Sequence, residues 1–205
     1  MASTIDTLKN KLITLSQKDR SLLNFGASKH LYKLNPTLTE TDINSFELKY
    51  QIRLPEEYRL FLQEAGNGGA GPYYGLECLF DSTYQDLDYK IKGEEIDPSK
   101  EFPFTKAWNI DYGDIESDED FLKKENEYFD PKWANGLLRI ANFGCGVSIN
   151  IVVNGPAYGS IWYDDRCSDA GIYPDEYFGK ETRIGFFEWY NLWLDSSLEK
   201  LNKHS

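Results

Sequence analysis

The 205-residue chain is 40% hydrophobic and 15% aromatic, which is enough for one sizeable core, so a single domain over residues 1–205 is expected. Its net charge of −12 disfavours nucleic-acid binding, and the widely spaced Cys78, Cys145 and Cys167 indicate neither a disulfide framework nor a zinc site. The polar start lacks the apolar block of a signal peptide, and no run approaches the ~18 apolar residues of a membrane span. We therefore expect a cytoplasmic protein with no membrane contact.

The first third of the chain predicts helices. Apolar residues recur at helical spacing in two stretches, at Ile5, Leu8, Leu12 and Leu15 and again at Ile43, Phe46 and Tyr50. A third helix is expected after Pro55, because Glu56 and Glu57 complement the positive end of a helix dipole and Gly66 ends the pattern.

A glycine motif follows this third helix. Gly66, Gly68 and Gly71 spell G-x-G-x-x-G, but a dinucleotide fingerprint needs a strand before the glycines and a helix after them. Here a helix precedes, and its carbonyl end repels phosphate. The motif therefore predicts a helix end, with Gly66 left-handed, and a close backbone approach. No cofactor is expected.

The acidity is concentrated between Asp81 and Asp130. This segment holds 16 acidic and 6 basic side chains, a net of −10, and aromatic residues are threaded through it. A strand over 102–108 and a short helix after Asp118 are expected there. Acids beside aromatics are typical of a surface that binds a basic protein. The carboxylates expected to steer the partner are Asp111, Asp114, Glu116, Asp118, Glu119 and Asp120. The aromatic residues expected to anchor it are Trp108 and Tyr112.

Part of this segment imitates a calcium loop. The first, third, fifth, seventh and twelfth positions are Asp114, Glu116, Asp118, Asp120 and Glu125. The sixth position, where calcium loops need glycine for a sharp turn, is Glu119. A solvated acidic face is therefore the favoured interpretation, and no metal is expected.

The second half predicts an antiparallel meander. Alternation from Cys145 to Val153 indicates a strand with one buried face, 137–142 precedes it, and 158–164 returns after an Asn154-Gly155 turn. A final helix from Ile184 is expected to cover the sheet with an apolar stripe, Phe186, Tyr190, Trp193, Leu194, Leu198 and Leu201.

Two polar sites in this half favour structural roles. Cys145 could be a nucleophile on a turn, but the two histidines, His30 and His204, are remote, so a small buried hydrophobe is favoured. Asp164, Asp165, Arg166 and Asp169 could be a catalytic or metal cluster, but no nucleophile accompanies them, so a loop held by Asx turns and an Asp–Arg pair is favoured. No catalytic residue is predicted.

Two stretches, LPEEYRLFLQEAGNGGAGPYYGL from Leu54 and GLLRIANFGCGVSINIVVNGPAYGSIWYDD from Gly136, resemble the SUKH superfamily of bacterial toxin-immunity proteins and fungal Smi/Knr regulators. The resemblance covers about 35–174 and leaves the acidic segment 81–130 as a variable part. It implies an α+β domain in which N-terminal helices and a C-terminal helix pack on a curved, mostly antiparallel sheet. The residues it makes structural are Gly66, Gly68, Gly71, Tyr74, Gly75, Trp162 and Asp164.

The resemblance also implies a function. Bacterial members bind and neutralise a toxin, and the acidic surface suits a basic, nuclease-type toxin domain as the partner. A Smi/Knr-like regulatory or scaffold protein without a toxin is the alternative. An enzyme is the least favoured class, and a monomer is the favoured state.

Overall fold

Six α-helices and a four-stranded sheet form the part of the chain that the computed structural model describes, residues 3–85, 95–175 and 183–203. His204 and residues 86–94 of the acidic segment lie outside these ranges. The helices are α1 Thr4–Lys18, α2 Ala27–His30, α3 Glu40–Tyr50, α4 Glu56–Glu64, α5 Asp118–Tyr128 and α6 Phe186–Lys203. The strands are β1 Leu137–Gly144, β2 Val147–Val152, β3 Ile161–Asp165 and β4 Gly171–Pro174. This is the α+β class that the sequence predicts.

The predicted helices are confirmed, and their ends have local causes. Capping boxes begin α1 at Ser3 and α3 at Thr39. In each box the hydroxyl accepts the backbone N–H of an Asp at the third helical position, and that Asp carboxylate accepts the backbone N–H of the capping residue. Helix α4 begins one residue after Pro55. A carboxylate of α4, Glu57, accepts the Phe187 N–H at 3.0 Å and so caps α6, which joins the two helices over the main core.

The sheet is antiparallel in the order β1-β2-β3-β4. Strands β1, β2 and β3 form the predicted meander, whereas β4 is a further strand that the sequence pattern does not predict. The β1–β2 hairpin turns through Cys145 and Gly146, both with positive φ, which is the geometry of a two-residue type I′ turn. Cys145 is consequently exposed, and the predicted burial of this residue is wrong. Two register shifts in β1 bend the sheet.

Both faces of the sheet are covered. Strand β2 is buried along its whole length, so the expectation of one buried face is wrong. Ser148 and Asn150 are buried and hydrogen-bonded to each other, with Asn150 Nδ2 3.0 Å from Ser148 Oγ. The main core lies under the helices and takes Leu138, Ile149, Ile151, Ile161 and Tyr163. The other face carries a second core, whose strand residues are Leu137, Val152, Trp162 and Ile172.

None of the helices in the described ranges combines the length and the apolar composition that a bilayer crossing needs.

Candidate protein-binding site

The aromatic residues of the acidic segment build the second core. The rings of Phe104 and Trp108 stack at 4.9 Å, Trp108 packs on Trp133 at 4.8 Å, and Phe102 packs edge-on against Trp162 at 4.9 Å. The segment thus covers the outer face of the sheet instead of hanging from it as a loop. Its exposed surface is supported by a packed base.

Trp108 joins this segment to the edge of the sheet through its backbone. Its N–H and C=O exchange two 2.8 Å hydrogen bonds with Ile172 of β4. Gly171 permits the approach, because a Cβ at this position would collide with the Trp108 carbonyl. The predicted strand over 102–108 is wrong, since in the described chain the pairing there is limited to this bridge.

Helix α5 confirms the short helix expected after Asp118. Ser117 caps it by accepting the Asp120 N–H at 3.2 Å, and the first turn holds Asp118, Glu119 and Asp120, which complement the positive end of the dipole. A helix over these positions is incompatible with a calcium loop. Among the described residues no group of three His, Cys, Asp or Glu side chains is arranged to hold a metal.

The six carboxylates expected to steer a partner are all exposed: Asp111, Asp114, Glu116, Asp118, Glu119 and Asp120. Within the described ranges none of them forms an ion pair, and the Lys124 ammonium donates to the Asp111 backbone carbonyl at 3.0 Å. Residues 109–127 contain eight acidic and two basic side chains. Their negative field therefore faces solvent uncompensated.

The structure separates the two expected anchors. Trp108 lies against the second core, so its side chain supports the surface from below. Tyr112 is half-buried and stacks on Phe121 with ring centroids 6.0 Å apart. We name the exposed face around it, residues 109–122, the acidic surface.

The acidic surface also carries exposed apolar side chains, which the sequence pattern did not predict. Leu122 is 56% exposed, Phe121 is 43% exposed, and Ile115 is also exposed. Tyr128 is the buried residue of α5, and Leu122, six residues earlier, lies about 120° around the helix from it. The helical angle to Tyr128 is the signal that could have identified Leu122. The acidic surface therefore combines exposed apolar side chains with carboxylates that form no ion pair within the described residues.

A buried ion pair fixes α5 to the sheet. Arg166, which is fully buried, donates to both carboxylate oxygens of Asp164 at 2.8 and 2.7 Å. Its remaining terminal nitrogen donates to the carbonyls of Tyr128 at 2.8 Å and Asp130 at 3.1 Å, at the end of α5. The predicted Asp–Arg pair is confirmed. The fork geometry of the guanidinium lets one side chain join strand β3 to the base of the acidic surface.

The glycine motif has a packing role. Gly66 is absent from the residues with positive φ, so its predicted left-handed backbone is wrong, whereas Gly68 and Gly75 do have positive φ. A Cβ on Gly66 would stand 2.6 Å from the Asn35 carbonyl oxygen, and one on Gly71 would stand 2.7 Å from Leu76 Cγ. The predicted close backbone approach is therefore correct.

The other residues of the structural motif divide between core and surface. Trp162 is fully buried, with its indole N–H donating to Ser160 Oγ at 2.9 Å. Asp164 is buried with Arg166, whereas Tyr74 is 43% exposed and packs against Phe25.

Helices packed on an antiparallel sheet define an α+β domain, whose described residues also carry the exposed carboxylates of the acidic surface. A family model for the SMI1/KNR4 family (SUKH-1) matches residues 37–182, and the chain belongs to this family. Membership places it among the immunity-type proteins of the SUKH superfamily. No curated protein and no solved structure matches the chain.

Proposed function

We propose that this chain is a non-catalytic cytoplasmic immunity protein that binds and neutralises a basic, nuclease-type toxin domain through its acidic surface. The observation that carries the proposal is the set of six exposed, unpaired carboxylates of the acidic surface, interleaved with the exposed Phe121 and Leu122. A nucleic-acid enzyme needs a cationic groove, which such a surface complements.

Electrostatics supports a role in fast capture. A concentrated negative field raises the association rate with a cationic partner by roughly 10- to 1,000-fold at low salt. Speed matters to an inhibitor, because each toxin molecule acts until it is bound.

Preorganisation supports tight binding. Arg166 and the stacked rings of the second core hold α5 in place before any partner arrives. A surface that is already ordered loses less entropy on association than a loop that must first fold.

The test begins with a search of the reading frames beside this chain for a toxin domain, and it uses that domain as the binding partner. Replacing Asp114, Glu116 and Asp118 by lysine should slow association by about tenfold or more at 50 mM salt, flatten its salt dependence and abolish protection of toxin-expressing cells. The matched control replaces three exposed acids elsewhere, Glu56, Glu64 and Glu199, by lysine, which changes the net charge equally.

Two outcomes would contradict the proposal. If both triple variants protect cells equally well, the acidic surface is not the interface. If no toxin domain is encoded nearby and the purified chain partners a host regulatory protein, the scaffold alternative replaces the immunity function.

A further inference from the structure

A second, apolar patch lies away from the acidic surface. Leu23 is 77% exposed and Phe25 is 59% exposed, and Leu31 in the same segment and Tyr74, which contacts Phe25, are also exposed. The rings of Phe25 and Tyr74 pack at 5.1 Å, which joins residues 23–31 to residues 73–74. We call Leu23, Phe25, Leu31 and Tyr74 the basic-rimmed patch. It adjoins the main core through Leu22 and Tyr73, whereas the acidic surface adjoins the second core.

Buried polar groups hold the patch in shape. The Asp19 carboxylate, only 2% exposed, accepts the Tyr32 hydroxyl at 2.5 Å and the backbone N–H groups of Leu23 at 2.8 Å and Asn24 at 2.9 Å. Gly26 packs so closely on the Tyr73 carbonyl that a Cβ there would collide with it. The exposed leucine and phenylalanine therefore project from an ordered support.

Backbone strain is concentrated at the same place. Of the seven non-glycine residues with positive φ in the described chain, four lie in, or directly next to, the two segments that form the patch: Leu22, Leu31, Tyr32 and Tyr73. Bulky residues rarely adopt this conformation, and such strain clusters at functional sites at a cost on the order of 1 kcal/mol or more per residue. Among these four residues Leu31 is exposed, whereas Leu22, Tyr32 and Tyr73 pack in or against the main core and hold the segments in place.

The chain segment that carries Leu23, Phe25 and Leu31 has the opposite net charge to the protein as a whole. Between residues 16 and 35 the basic side chains Lys18, Arg20, Lys29 and Lys33 are exposed. Asp19, the acidic residue in this stretch, is buried. Exposed cations in the same segment as exposed apolar residues complement an acidic protein segment that carries apolar residues. The net charge of −12 opposes an anionic bilayer as the occupant.

We propose that the basic-rimmed patch is a second docking site, which takes an acidic amphipathic segment of another protein. The protein would then have two charge-selective faces, one for a cationic partner and one for an anionic partner. This site does not depend on the toxin, so it can be tested on the purified chain.

The probe is a synthetic peptide with the sequence of residues 109–127, which is acidic and contains Ile115, Phe121 and Leu122. Titrated into the ¹⁵N-labelled full chain, it should shift the amide signals of residues 22–33 and 73–75. A matched peptide with its aspartates and glutamates replaced by lysine should not. The double variant Leu23→Ser, Lys29→Glu should bind the acidic peptide about tenfold more weakly, as expected for loss of an interface anchor.

The control variant is Leu48→Ser, Lys106→Glu, which removes an 81% exposed leucine and makes the same charge change elsewhere. It should bind like the unaltered chain. The proposal is overturned if the acidic peptide produces no shifts, if the lysine peptide binds equally well, or if the chain instead sediments with phosphatidylglycerol vesicles and ignores the peptide.

Discussion

At the level of single residues, the requirement for glycine at position 66 comes from neighbouring atoms and not from its own backbone angles. The added Cβ would meet the Asn35 carbonyl oxygen at 2.6 Å and Leu34 Cβ at 2.9 Å. We expect Gly66→Ala to lower the free energy of unfolding by about 1–3 kcal/mol, because the first added carbon already forces a backbone shift. Urea denaturation measures this loss, and the control variant Glu64→Ala should leave the free energy of unfolding nearly unchanged. Equal small losses for the two variants would refute the close approach.

His30 makes the stability depend on pH. Burial lowers its pKa to about 4, from an ordinary value near 6.5, and its Nδ1 accepts the Tyr32 N–H at 3.0 Å. The unfolded chain binds the proton more tightly, so this contribution is complete above pH 6.5 and is lost as the pH falls through 4. Since the ring keeps some solvent access, we expect a loss of no more than about 2 kcal/mol.

Two measurements check the role of His30. The NMR titration of its imidazole should give a midpoint well below 6, and His30→Gln should flatten the fall in stability between pH 6.5 and 4. A midpoint near 6.5 would show that the ring is solvated.

Cys145 and Gly66 differ from their predicted states because a local sequence pattern does not record tight turns or distant contacts. Cys145 continued the alternation of strand β2, so it was expected to be buried, yet the chain turns there with positive φ at Cys145 and Gly146. Alternating apolar and polar residues indicate a strand, but they do not indicate where a tight turn ends it. Gly66 was expected to be left-handed because it ends a helix, while the partner that excludes a side chain, Asn35, is distant in sequence.

At the level of elements, the position of α5 depends on Arg166. Arg166→Met leaves the buried Asp164 carboxylate without its partner, so we expect a loss of about 3–5 kcal/mol in unfolding free energy. Amides of α5 should exchange with solvent faster even under conditions that keep the chain folded. Arg139→Met, which breaks the less buried pair with Glu77, is the control and should cost less and leave α5 unchanged. Unchanged exchange in α5 for Arg166→Met would mean that packing alone holds the helix.

A pair of substitutions separates support from contact on the acidic surface. Trp108→Ala should destabilise the fold by roughly 3 kcal/mol, because its ring is packed in the second core. Leu122→Ala should leave stability within about 0.5 kcal/mol and speed toxin dissociation, because the side chain is exposed. Thermal melts and binding kinetics are measured on both variants. A normal dissociation rate for Leu122→Ala would remove Leu122 from the proposed interface.

At the level of the whole molecule, the helices and the meander were predictable and the second core was not. Local periodicity and capping signals identify α1, α3, α4 and α6 and strands β1, β2 and β3, because each signal lies within a few neighbouring residues, whereas the short β4 carries no such signal. The second core joins Phe102, Trp133 and Trp162, which are far apart in sequence and follow no period. The acidic surface could be located by charge, whereas its exposed Leu122 depended on which face of α5 turns inward.

The second core lets the acidic surface change in evolution without loss of the fold. Because the stacked rings and Arg166 support the acidic surface from beneath, its solvent-facing positions contribute little to the main core. Substitutions at those positions can therefore alter which partner is recognised while the fold persists. We expect close variants of this chain to diverge most at the exposed positions between 109 and 122 and least at Trp108, Trp162 and Arg166. This separation of the recognition surface from the supporting core favours a lineage whose binding partners change repeatedly.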